Sequence, residues 1–168
     1  MAERTARRET YRHGDLRAAA AEAAYALALA GQPVTLRAVA ERAGVAHRSL
    51  YNHFADREAL LDVVAERGFV ALAAALRPAG SRGDYVAAYV RFALAHPALA
   101  EIMWSRPHGT MKARPALRAA AHLSIDEARR FFVDPAMSPR DAQRAIMKVI
   151  VLIRGGLAMR GVLDVADD

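Results

Sequence analysis

Arg37, His47, Arg48, Ser49, Tyr51 and His53 crowd into one short stretch of the chain. They supply guanidinium, imidazole and hydroxyl donors together with flat rings. Such side chains have a length suited to base edges and phosphates in a major groove. The apolar residues among them say how they would be held. Val39, Ala40, Val45 and Leu50 can all turn inward. Ala40 has to be small where the next helix crosses it, and Gly44 can take the positive φ that a tight turn needs. With those residues inside, the donors are left outside, on or near a third helix. The alternative is a helical hairpin with a solvated basic face.

Other chemistry finds less support. His108 lies in a Pro/Gly loop, and His122, Ser124 and Asp126 form a local cluster that reads as solvated surface rather than a triad. No His-Glu-x-x-His, phosphate-binding Gly loop or dinucleotide fingerprint occurs. The chain has no cysteine, which excludes a disulfide framework, a zinc finger and a thiol nucleophile. The expectation is therefore no catalytic residue, no metal ligand and no cofactor.

The elements that must position these residues are helices. Alanine, the best helix former, fills 40 of the 168 positions, and only 11 residues are Phe, Tyr or Trp. A first helix is expected over residues 15–30, stopped by Gly31 and Pro33. Thr35 caps a short helix over 36–42, Gly44 interrupts it, and a third helix fits 47–53. Asp56 caps a longer helix with Leu61, Ala65, Phe69, Leu72 and Leu76 on one face. Ser81 and Asp84 open a helix that ends before Pro97. A short apolar segment, 98–104, and a loop over 105–115 follow. Another helix spans 115–133, and Ser138-Pro139-Arg140-Asp141 starts the last, which runs to about residue 163. Arg140, Arg144 and Lys148 stripe its solvent face. Gly155-Gly156 inside it predicts a kink or a close helix approach.

Charge and hydropathy narrow the setting. The net charge is +6, which suits a polyanionic partner. The excess is spread over both halves, so charge alone locates no nucleic-acid face. No uninterrupted apolar stretch reaches the ~18 residues of a membrane span. Residues 1–12 are basic and polar, without the apolar core of a secretory signal. A cytoplasmic protein without a membrane partner is expected.

Residues 12–62 resemble the DNA-binding domain of the TetR/AcrR-type transcriptional regulators. Tyr11-Arg12-His13-Gly14-Asp15-Leu16-Arg17 is similar to the opening of one subgroup. Thr35 to Val45 resembles that family's second helix and turn, and Leu50-Tyr51-Asn52-His53-Phe54 its recognition helix, with Asp56-Arg57-Glu58-Ala59-Leu60-Leu61 the entry to helix 4. Tyr89 to Pro97 more loosely resembles helix 5. The chain departs from the pattern at Ala46, where Ser or Thr is usual, at Arg48, where Gly is usual, and at Arg57, where Lys is usual. Gly155-Gly156 replaces a late His-Gly, Val151 stands at a usual Trp, and the family generally carries one more helix where this chain reaches Asp168.

The resemblance implies an all-α fold: a three-helix, homeodomain-like helix-turn-helix domain over 1–58, then a helical ligand-binding and dimerisation domain over 59–168, linked by helix 4. It implies that Thr35, Tyr51, His53 and Arg57 hold phosphates while Arg37, His47, Arg48 and Ser49 face bases. Arg4, Arg7, Arg8 and Arg12 either follow the DNA backbone or enter a minor groove; the alternative is a solubilising tail. It also implies a homodimer on a palindromic operator, with its seam over 115–133 and 138–163. The function implied is a repressor released by a small lipophilic effector. The rivals are an architectural DNA-binding protein without a ligand and an enzyme on a helical scaffold. On the helix after Asp84, Tyr85, Tyr89 and Phe92 share one face beside a second apolar stripe, so one stripe can pack the core while the other lines a cavity. Phe69, Met103, Trp104, Phe131 and Met147 complete the expected ligand-binding set. The alternative for all of these is plain core.

Overall fold

The computed structural model describes residues 13–106 and 110–163. The α-helices follow the expected order, with Pro97–Trp104 a further helix in the stretch read only as an apolar segment, and among the described residues there is no strand. The arginines of the N-terminal arm and His108 lie outside the described residues.

The first helix, α1 (His13–Leu29), ends where Gly31 takes φ +67. α2 (Leu36–Ala43) begins where Thr35 Oγ1 accepts from the Ala38 N–H at 3.1 Å. It ends at Gly44, left-handed at φ +68, whose N–H reaches the carbonyls of Ala40 and Glu41. α3 (His47–Leu50) is shorter than its pattern predicts. Leu50 and Phe54 are both buried, and residues 51–53 between them form turns. The N–H groups of His53 and Phe54 both fold back onto the Leu50 carbonyl at 2.9 Å. Asp56 then caps α4 (Arg57–Leu76) by accepting from the Ala59 N–H at 2.7 Å.

α4 is the axis of the molecule. It packs on α1, on α5 (Arg82–Ala95), on α6 (Pro97–Trp104) and most extensively on α7 (Pro115–Phe132). Its expected face of Leu61, Ala65, Phe69, Leu72 and Leu76 is buried, and so are Leu60, Val64 and Gly68 on the other sides. Arg67 pairs with Glu22 of α1. The last helix, α8 (Pro139–Leu163), starts at Ser138, whose Oγ accepts from the Asp141 N–H at 3.2 Å. It packs on α7 and α5 and runs unbroken through Gly155-Gly156. The segment expected to be plain loop holds a 3-10 turn, Thr110–Ala113, which buries Met111.

One apolar cluster joins all of this. Val39, Ala40, Leu50 and Phe54 belong to the same core as Leu27 of α1, Leu60 of α4, Met103 of α6, Leu117 of α7 and Ile146 of α8.

Candidate nucleic-acid interface

α2 and α3 form a helix-turn-helix with Gly44 at the turn, and its buried side is as expected. Val39 and Leu50 are fully buried and Ala40 is 2% exposed. That packing leaves His47, Arg48 and Tyr51 on the outside, with Ser49 and His53 half-buried. Tyr51 is 54% exposed, unusual for a large apolar ring. The His47 imidazole meets it edge-on, with ring centroids 5.3 Å apart. Two donors thus lie side by side on the exposed face. Arg48 makes no ion pair or hydrogen bond with the described residues, so its guanidinium reaches into solvent.

The flanking residues are more engaged. Thr35 caps α2 through its oxygen, which leaves its hydroxyl proton available to an external acceptor. Arg37 pairs with Glu41 one turn on, at 3.0 Å, with both side chains exposed. Arg57 donates from Nε to the Val34 carbonyl at 3.1 Å, fastening the strap before α2 to the start of α4. One residue missed at the sequence level is Arg17. Its Nη1 donates to the His53 carbonyl at 2.9 Å while its guanidinium lies 5.1 Å above the Phe54 ring. It locks α1 onto the turn that follows α3.

A second feature missed is a charged junction at the start of α4. Arg106, 7% exposed, sends Nη1 to Glu58 at 2.5 Å and to Asp62 at 3.3 Å. Arg114 grips the same Asp62 with two nitrogens, each at 3.0 Å. A bidentate guanidinium–carboxylate pair is short and directional. Both carboxylates lie within two turns of Asp56, so the segment after α6 is tied to the helix that carries the helix-turn-helix.

The residues expected to line a ligand cavity are mostly assembled, but as packing. Tyr85 is fully buried, with Tyr89, Phe131 and Phe132 rings at 6.4, 6.2 and 5.3 Å. Phe69 and Met103 are buried. Trp104 lies 5.3 Å beneath Arg154, whose Nε donates to the Tyr89 hydroxyl at 3.4 Å. Phe92 turns aside to His96. Met147 lines a groove between α7 and α8, which the other seven do not. The Tyr85 hydroxyl is buried with no partner among the described residues, and burial pushes its pKa well above the ordinary tyrosine value. His122, Ser124 and Asp126 do not converge. Ser124 is buried and donates to the Ala121 carbonyl, His122 is exposed, and Asp126 pairs with Arg129.

Comparison with known proteins agrees with this geometry. Residues 17–64, which run from within α1 into the first two turns of α4, match the family described as bacterial regulatory proteins, tetR family. No curated protein matches the chain. Among solved structures, a protein of unknown function from Rhodococcus sp. RHA1 is 33% identical at a TM-score of 0.65, over 93% of this chain and 89% of that one. A possible TetR family transcriptional regulator from Streptomyces coelicolor A3(2) shares the fold at a TM-score of 0.57. It is 23% identical over 83% of this chain and 68% of its own.

Proposed function

From a chain that belongs to the tetR family of bacterial regulatory proteins, and so is a DNA-binding transcriptional regulator, we propose a repressor that a small lipophilic effector releases from its operator. Residues 1–58 read the DNA, residues 59–168 hold the effector and a second subunit, and α4 joins the two. Tyr51, His53, Thr35 and Arg57 hold phosphates, while Arg37, His47, Arg48 and Ser49 face bases.

The observation that carries the release step is the junction of Arg106 and Arg114 on Glu58 and Asp62. A change among the helices after α4 has a polar lever on the first turns of α4. A ligand moves that lever only if it binds one arrangement better than the other.

The proposal includes a homodimer, because one short recognition helix reads too few base pairs to find a unique site. Val151, Leu152 and Met159 of α8 are 61%, 74% and 53% exposed. A Cβ added to Gly155 or Gly156 would meet nothing within 4 Å, so these glycines serve no close approach within the described residues. A second copy of α8 laid against this bare apolar strip would use both. The operator is then a palindrome, and the protein works in the cytoplasm, where that DNA is.

The test begins with duplexes selected from random sequence by the full chain. Anisotropy titration should give a palindromic site whose affinity falls when a lipophilic compound is added, with a parallel change in Trp104 fluorescence. DNA affinity unmoved by a broad lipophilic panel would overturn release, and equal affinity for scrambled duplexes would favour the architectural alternative.

A further inference from the structure

The groove between α7 and α8 has a different character from the aromatic cluster. Its volume is about 400 Å³, at the lower end of the ~300–1,000 Å³ usual for ligand sites. Met111 from the 3-10 turn, Ile125 from α7, and Ile146 and Met147 from α8 line it with apolar surface. Lys112, Arg118, His122 and Arg129 line it as well, and no aspartate or glutamate does. On α7 the positions 118, 122, 125 and 129 recur on one helix face. Arg129 is shared with Asp126 at 3.5 Å. Lys112 and Arg118 have no carboxylate partner among the described residues.

Cations beside an apolar wall focus a positive potential where water is partly excluded. A cationic ligand is repelled there, and a wholly apolar one strips water from the guanidinium without replacing it. An anion with an apolar body answers both surfaces. We infer that this groove binds an organic carboxylate with an apolar body, and that this carboxylate is the effector. The inference rests on the repressor reading above.

The groove is also placed to act. Met111 and Lys112 sit just before Arg114, the residue that grips Asp62. The opposite face of α7, through Leu117, Ala120 and Ala128, is buried in the core that α4 shares. A ligand seated on Met111 and Arg118 therefore bears on α4 by both routes, the salt bridge and the packed helix.

Calorimetry on the full chain with decanoate, 1-decanol and decylammonium separates the terms, since the three share one alkyl body. Decanoate should bind, decanol roughly tenfold or more weaker, and decylammonium weakest. The exposed double variant Lys112→Gln/Arg118→Gln should keep the parent's melting temperature and lose about tenfold or more in decanoate affinity. Decanoate should also release the selected operator from the parent and fail to do so from the variant. Equal binding of the three probes, or undiminished decanoate affinity in the variant, overturns the groove site. Decanoate bound without DNA release overturns its role as effector. If another lipophilic compound releases DNA from parent and variant alike, the groove assignment fails while the repressor reading stands. If no compound of any class releases DNA, the repressor reading itself fails.

Discussion

At the scale of single residues, Arg48 and Tyr51 are exposed neighbours with separate expected tasks. Arg48 has no partner among the described residues and is long enough to reach a base edge. Tyr51 meets His47 edge-on and offers one hydroxyl. Arg48→Ala should relax preference at one or two base pairs, by about 1–3 kcal/mol each. Tyr51→Phe should weaken binding to all sequences alike. Titrations against operator and scrambled duplexes check both, and unchanged affinity in both variants would remove α3 from the groove. Their exposed position was legible because Gly44 and Asp56 bracket the segment that carries them. Arg106 was not. Its carboxylate partners Glu58 and Asp62 lie 48 and 44 positions away, so no local spacing announces the pair. The aromatic stripe was legible as apolar, but spacing cannot tell a cavity wall from a core. Tyr85, fully buried among three rings, stands on the core side of that choice.

At the scale of elements, caps set most boundaries and tertiary packing set the rest. α2, α4, α5 and α8 begin at the capping residues expected of them, and α1 and α7 lie within about two residues of their expected spans. α3 ends at Leu50, where the N–H groups of His53 and Phe54 converge on one carbonyl, and the 3-10 turn Thr110–Ala113 has too few residues to show a period. Packing of α4 on α6 turns on a residue whose role no pattern reveals. A Cβ on Gly68 would fall 2.6 Å from Met103 Sδ and 3.0 Å from Leu99 Cδ1. Alanine is worth about 1 kcal/mol over glycine in a helix, whereas overpacking costs about 1–3 kcal/mol. Gly68→Ala should therefore be neutral to about 2 kcal/mol destabilising. Met103→Ala alone should cost about 2–5 kcal/mol by leaving a cavity. Combined, the two should be less destabilising than their sum, because the new methyl enters the space the thioether leaves. Urea denaturation of the four proteins reads the coupling, and strict additivity would mean that α4 and α6 do not meet at Gly68.

At the scale of the whole molecule, a single core runs from the helix-turn-helix through α4 into α8, so the reading head cannot shift without its support. Two variants separate communication from assembly. Asp62→Asn removes the charge that Arg106 and Arg114 share, while Glu58 still holds Arg106. A loss of about 1–2 kcal/mol in stability is expected, since charged hydrogen bonds are weakened but part of the junction faces water. DNA should still bind, and the effector should release it less completely. Release equal to the parent's would mean that the junction is structural. Assembly is probed on α8. Leu152 is 74% exposed, so Leu152→Asp should cost the isolated subunit almost nothing. In a two-fold seam the same change occurs twice. It sets two carboxylates against an apolar surface, and desolvating each has no compensating partner. Sedimentation equilibrium at micromolar concentration should give twice 18.2 kDa for the parent and 18.2 kDa for the variant. Melting temperature at low concentration should be unchanged, and affinity for a palindrome should fall to that for a half-site. A variant that stays dimeric would move the seam off this face of α8. A parent that is monomeric, and binds half-sites as tightly as full sites, would remove the dimer altogether.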